Sequence, residues 1–298
     1  MAEPVHRYRT RPFTPVPTWR RWVPLARQEF IGLFASRWGV ALYCLCLLPA
    51  VGRLILMLIV FGVIRLAPPG RTPFSGRRGG EMALNPEHVE FYFDHVLQPL
   101  PGMVFLLLLA TLVVARAVAK DRTTNALELY WTRSITPRAY LLAKWVGTTS
   151  LVATMTVCAP LVLWCTAVLL ADDWTLLQTT TFAMLRAVAG LLVVTAAWTA
   201  IGILISAAAA SPNSAMVVFA AMLVGTRAIG VVIARIAGKP SLVTTCSVWD
   251  AGGAVARAIA GVPQRDANVM GAIALLSGLL LFAGWRARSR LGAAEAVA

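Results

Sequence analysis

The residues of this chain that could do chemistry are few. His88 and His95, in "NPEHVEFYFDHVLQPLPG", stand two helical turns apart and share a face with Tyr92. That spacing suits a pair of metal ligands, but the further ligands of a closed site do not cluster with them. A short amphipathic helix at the outer aqueous interface is the expectation, with no metal. The cysteines, Cys44, Cys46, Cys158, Cys165 and Cys246, form no CxxC pair, and four lie inside apolar runs, where they read as small hydrophobes. There is no HExxH, no GxSxG and no GxxxxGK[ST] phosphate loop; "AGKPS" at Ala237 lacks the upstream glycine and the helix start. The chain is therefore expected to be neither an enzyme nor a nucleotide binder, and to hold no cofactor itself.

Three arginines interrupt apolar runs: Arg53, Arg186 and Arg227. An arginine near the centre of a bilayer costs about 2.5–3.5 kcal/mol on insertion scales. Arg186 lies near a membrane edge and can snorkel. Arg53 and Arg227 lie deeper, with no carboxylate inside a span to pair with. Backbone carbonyls, or a break in the first span near Pro49, could hold them. They could also line a subunit interface or a path for anionic, lipid-like cargo. The densest polar stretch is "VAKDRTTNALELYWTRSITPRAYLLAKWVG", Val118 to Gly147, set between two long apolar runs.

The elements that position these residues follow from composition. The chain is 58% hydrophobic and 13% charged, about half the roughly 25% charge of soluble domains. The charges are segregated from the apolar runs, the pattern of a polytopic membrane protein. The net charge of +14 comes from arginines beside those runs and not from a nucleic-acid-binding motif. Six runs are long enough to cross a bilayer as helices: 39–64, 101–119, 145–170, 184–208, 214–236 and 268–286. No cleavable signal peptide is evident. Lys and Arg crowd the N-terminal segment (Arg7 to Arg37), the second-to-third connection (Arg116 to Lys144) and the tail (Arg286 to Arg290). They are about half as frequent in the opposite loops, which places both termini in the cytoplasm.

The expected organisation is a cytoplasmic segment over 1–38 with a basic amphipathic interfacial helix, a six-helix transmembrane domain over 39–286 and a short cytoplasmic tail over 287–298. A short helix near Trp249–Ala260, within 246–262, is too short to cross and reads as an outer re-entrant or interfacial element. On the cytoplasmic side, Asn125 followed by Glu128 suggests a capping box opening a two-turn helix within 124–135. Thr136-Pro137 then supplies an N-cap and a first-turn proline for a helix that continues into the third span, where Pro160 could kink it. The short helix exposes Glu128, Tyr130, Trp131 and Arg133. Aromatic residues and arginine favour a docking surface, whereas a merely solvated loop helix would use the same spacing.

This stretch resembles the cytoplasmic segment of ABC-2 type transporter permeases. Asp121, Asn125, Ala126, Leu127, Glu128, Leu129, Arg133, Ser134, Thr136, Tyr140, Leu141 and Lys144 fall where that pattern has them. The chain departs from it at Ile135, where proline is common, and at Pro137. The leading helix "WVPLARQEFIGLFASRW", the six runs, "SPNSA" between the fourth and fifth, and the outer helix before the last agree with the same family.

The resemblance implies an all-α, type V exporter-like membrane subunit of an ATP-binding-cassette transporter, in a bacterial inner membrane. The helix at 124–135 would be the coupling helix. Asp121, Asn125, Leu127, Glu128, Leu129, Tyr130, Arg133, Ser134 and Thr136 would then form the interface with a separate ATPase, which would bind the ATP and Mg. A second permease copy or a related chain, and membrane lipids, would be the other partners; nucleic acid would not. Two alternatives remain at this point. A secondary transporter would need intramembrane carboxylates or unwound polar helices, and a non-transporting membrane anchor for an ATPase would keep the same docking helix.

Overall fold

The fold is known from a computed structural model that describes residues 22–61, 88–98, 102–126, 135–171, 174–262, 264 and 266–295, with side chains as far as 288. Every regular element among the described residues is helical. Among the described residues four helices are long and apolar enough to cross a membrane: Pro137–Leu170, Thr175–Ala208, Pro212–Ala237 and Val269–Arg288. They correspond to the last four of the six apolar runs. Their outward sides carry fully apolar, exposed side chains such as Leu169, Phe182, Ile236 and Leu281. Such continuous apolar cover suits lipid and not water.

The first two runs are helical in pieces. The leading helix α1 (Val23–Gly32) turns by 78° into α2 (Arg37–Cys46), a pair that together passes the same test of length and hydropathy. After a one-residue step at Leu47 follows α3 (Leu48–Val60), with Pro49 in its first turn, where a missing N–H costs nothing. The step lies two residues before Pro49, close to where a break was one of the ways to accommodate Arg53. The next piece, α4 (Glu90–Leu97), is the helix that the sequence suggested for an aqueous surface. It is instead buried almost all round: Phe91, Tyr92, Phe93, His95, Val96 and Leu97 are all inaccessible. Its apolar residues occupy consecutive positions, so no face was left for water. The second run comprises α5 (Val104–Leu109), a π turn over Ala110–Val114, and α6 (Ala117–Thr123).

The third run begins where Thr136 and Pro137 predicted. Thr136 is extended, and its Oγ1 accepts from the Ala139 N–H at 3.3 Å at the start of α7 (Pro137–Ala153). A π turn at Thr154–Cys158 then leads into α8 (Ala159–Leu170), with Pro160 in its first turn. The wide turn accommodates a residue that cannot donate to the helix ladder. Helix α9 (Thr175–Ala208) begins nine residues before the fourth apolar run, which the sequence placed at 184–208. In "SPNSA" the Ser211 and Ser214 side chains cap each other's backbone N–H groups, so α10 (Pro212–Ala220) opens with a full capping box. A third π turn, Ala221–Gly225, joins it to α11 (Thr226–Ala237). The short α12 (Leu242–Cys246), α13 (Val248–Ala260) and the long α14 (Val269–Glu295) complete the chain. Gly238 and Gly261, at φ 62° and 81°, end α11 and α13 in the left-handed conformation that glycine adopts without strain.

The core forms around α9, which packs on α7, α13 and α14. Hydroxyls join α7 and its π turn to α9: Thr149 bonds Thr199 at 2.7 Å and Thr156 bonds Thr195 at 2.8 Å. The Trp145 indole donates to the Ala196 carbonyl at 3.0 Å. Lipid gives helices no hydrophobic reason to associate, so such bonds and close packing hold them together. Cys44 is exposed and Cys46 buried, as their opposite helical directions require. Cys158 and Cys165 are exposed on the outward apolar faces, so the expectation of buried cysteines holds for Cys46 alone among those four.

Candidate functional site

Helix α1, the end of α6 and the first turns of α7 meet at one buried cation. Lys144, on the second turn of α7, is 2% exposed. Its Nζ lies 2.5 Å from Glu29 Oε1 on α1 and 2.6 Å from Asp121 Oδ2 on α6. The Tyr140 hydroxyl, one turn earlier on α7, donates to the same Asp121 oxygen at 2.8 Å. Close packing makes this junction possible: a Cβ on Gly147 would sit 2.5 Å from the Ala26 carbonyl oxygen, so α7 and α1 approach backbone to backbone. Helix α6 is fixed to α9 as well. The buried Ser206 Oγ accepts from the N–H groups of Val118 and Ala119 at 3.1 and 3.0 Å, and Arg122 donates to the Ala207 carbonyl at 3.2 Å.

Both ends of the connection between α6 and α7 are therefore anchored to the same cluster, Asp121 before it and Tyr140 and Lys144 after it. Among the residues expected at an ATPase interface, the structure places Asp121, Asn125 and Thr136. Leu127, Glu128, Leu129, Tyr130, Arg133 and Ser134 lie outside the described residues. Asp121 faces the Lys144 cluster, and Thr136 is a helix cap. Asn125 departs from the expected N-cap role: its φ is 55°, whereas an N-cap residue is extended, and its N–H bonds the Arg122 carbonyl at 3.3 Å. It closes α6 from the left-handed position, which asparagine tolerates better than most residues. Glu29 was not anticipated. The available signal was its being the lone acid in an otherwise basic leading helix.

Arg227 also differs from its expected environment. No carboxylate shares its helix, but Asp250, on α13, receives its Nη1 at 3.0 Å on both oxygens. Asp250 is held in turn by the Ser247 hydroxyl at 2.6 Å. At the other end of α13, Arg186 Nε donates to the Ile259 carbonyl at 2.9 Å, where the helix dipole favours a cation. In the same last turn Arg257 forms an ion pair with Asp94 of α4, and in the first turn Trp249 stacks on Trp198 with centroids 4.6 Å apart. The short outer helix anticipated near Trp249–Ala260 is thus Val248–Ala260, buried along most of its length.

Arg53 is 8% exposed, its guanidinium 5.2 Å from the centre of the Phe91 ring on α4. His95 lies on the same short helix, 4% exposed, with no partner for Nδ1. Burial, and then the positive Arg53 nearby, push its imidazole down to about 4. His88 and His95 share no metal cluster with other ligands among the described residues. A folded-state value below the ordinary 6.5 means that His95 stabilises the fold fully above pH 6.5 and less as the pH falls towards 4. The lost stability should reach about 3 kcal/mol. Thermal unfolding of the wild type should fall across that window more steeply than that of His95→Gln; parallel slopes would show that His95 is not held neutral by the fold.

Comparison with protein families, with curated proteins and with solved structures returns no match for this chain.

Proposed function

We propose that this chain is the permease subunit of an ATP-binding-cassette transporter of the ABC-2 kind, an exporter subunit driven by a separate ATPase. In this reading α2–α3 and α5–α6 are the first two of six spans, both termini are cytoplasmic, and the membrane is the bacterial inner membrane. The ATP and Mg belong to the partner, and two permease chains face each other across the unit. The observation that carries the reading is the Lys144 junction. A coupling element has to pass displacement into the helices on either side without dissipating it in a loose hinge. Asp121 and Lys144 tie those two helices to each other and to α1 within one hydrogen-bonded cluster. The resemblance of residues 118–147 to the family's cytoplasmic segment gives that rigidity its purpose. A secondary transporter gains no support from these acidic residues: Asp250 and Asp94 lie on short helices and not on the long spans, and each is committed to an arginine, Arg227 or Arg257.

The test is retention of an ATPase by the tagged chain purified from its native membrane. An ATPase subunit should co-purify, and Glu128→Arg combined with Tyr130→Ala should reduce it by about thirtyfold, the effect of losing one interface hot spot of about 2 kcal/mol. Retention at the wild-type level in that double variant would overturn the coupling assignment.

A further inference from the structure

Among the described residues three helical runs each contain a π turn, at Ala110–Val114, Thr154–Cys158 and Ala221–Gly225. In the first, the Ala115 N–H reaches five residues back to the Ala110 carbonyl at 3.0 Å. All three gather beside the same two turns of α9, from Thr195 to Gly202, a length of about 10 Å. Thr156 of the second bonds Thr195, and a Cβ on Gly202 would meet Val114 Cγ1 of the first at 2.8 Å. Ala110 of the first and Leu223 of the third line one small enclosed void with Val152, Trp198, Thr199 and Phe219. Helix α9 itself passes this level and runs for 34 residues without a π turn. A π turn skips one rung of the α ladder, and sharp bends in helices concentrate at such turns. A threonine accompanies each of these three. Thr111 donates to the Leu107 carbonyl at 2.7 Å, Thr154 to that of Leu151 at 2.6 Å, and Thr226 to that of Met222. A hydroxyl bonded to the carbonyl one turn back competes with the backbone bond and bends a helix. It also keeps that carbonyl paired when the local turn widens or tightens, so the exchange strands no buried acceptor.

On either side of this level the segments are fastened. The Lys144 cluster, Ser206 and Arg122 tie α6 and α7 to α1 and α9. Beyond the π turns, Trp164 Nε1 donates to Thr180 Oγ1 at 2.8 Å, joining α8 to α9, and Arg227 joins α11 to α13. Rigid segments joined by a few adaptable residues bend at those residues. We propose that the three π turns form one hinge level, at which α5–α6, α7–α8 and α10–α11 bend while α9 serves as the unbent strut. The Lys144 cluster makes α6 and α7 move together on one side of that level, and α13 holds α11 on the other.

The test is the spread of distances between paired spin labels, read by double electron–electron resonance. It uses the full chain in phosphatidylcholine nanodiscs, with its five cysteines replaced by alanine. No ATPase or nucleotide is present, so the result stands whether or not the ATPase assignment does. One pair spans the third π turn at Asn213 and Ile236, a second spans the second π turn at Arg138 and Leu169, and a third lies along α9 at Gln178 and Ala208. Ala208 is half-buried and the other five positions are exposed. The two distributions that cross a π turn should be about twice as broad as the one along α9. Val224 lies in the third π turn and is 46% exposed. Deleting it removes the extra residue and lets α10 and α11 join as one α-helix. The Asn213–Ile236 distribution should then narrow to the breadth of α9, and the Arg138–Leu169 distribution should stay as it was. Distributions across both intact π turns as narrow as that along α9 would show fixed kinks and overturn the inference, and this comparison decides the matter even if the deletion variant does not fold. Undiminished breadth in the folded deletion variant would overturn it as well.

Discussion

Replacing Lys144 with methionine is expected to destabilise the protein by about 3 kcal/mol, near the lower end of the cost of breaking a buried ion pair. Methionine fills much of the lysine stem's volume, so packing changes little and the electrostatic consequence is isolated. It leaves Glu29 and Asp121 facing each other with no cation between them. They keep 20% and 15% of their side-chain surface, so some water can reach them and the full penalty of a dry site is not expected. A loss of this size corresponds to a fall in unfolding temperature of roughly 6–12 °C in a chain this long. Adding Glu29→Gln and Asp121→Asn to Lys144→Met should restore most of the loss, because replacing a buried ionic cluster whole is often close to neutral. Under the proposed function, the rescued triple variant should still couple poorly, since no ion pair then ties its three helices together. An unfolding temperature within about 2 °C of wild type for Lys144→Met would mean that the junction is not a structural anchor.

The second large effect concerns glycines that let α13 reach the core. In most helices Gly→Ala stabilises by up to about 1 kcal/mol. At Gly252 a Cβ would lie 2.4 Å from Trp198 Cζ2 and 2.8 Å from its Nε1, and that ring cannot withdraw because it is stacked on Trp249. At Gly190 the Cβ would lie 2.6 Å from the Ala256 carbonyl oxygen and 3.2 Å from its Cα, so backbone would have to move. Gly190→Ala and Gly252→Ala should therefore each cost about 2–3 kcal/mol, the upper part of the range for overpacking. Gly278→Ala, in open surroundings, should be neutral or slightly stabilising. Denaturation of the three variants in the same detergent decides the matter. Equal stability at all three positions would show that α9 and α13 can separate freely.

Local chemistry was what the sequence disclosed best. Thr136-Pro137 marked the start of α7 to the residue, because an N-cap and a first-turn proline act within four residues. The fifth run and the helix near Trp249–Ala260 were legible from their apolar positions, and each is bounded by a cap and a terminal glycine. The failures share a different character. Arg227 lacked a visible partner because Asp250 lies 23 residues away on another helix. Glu29 and Lys144 are 115 residues apart, and no periodicity links them. The burial of α4 depends on the cover that α13 provides, through the Trp249 indole donating to the Leu97 carbonyl at 3.0 Å and Arg257 meeting Asp94. Asn125 was misread because asparagine suits both ends of a helix, and only backbone geometry distinguishes them. Of the expected ATPase-facing residues, the frame around them was legible and their own positions lie outside the described residues.

Helix α13 is fastened to three different parts of the chain: in its first turn to α11 through Arg227, and in its last turn to α9 through Arg186 and to α4 through Asp94. A body fixed to three others at separate points removes their freedom to shift relative to one another. The ends of α4, α9 and α11 that meet α13 therefore make one block with α13 as its keystone. Any widening on that side has to occur along its border with α3, where Arg53 meets Phe91.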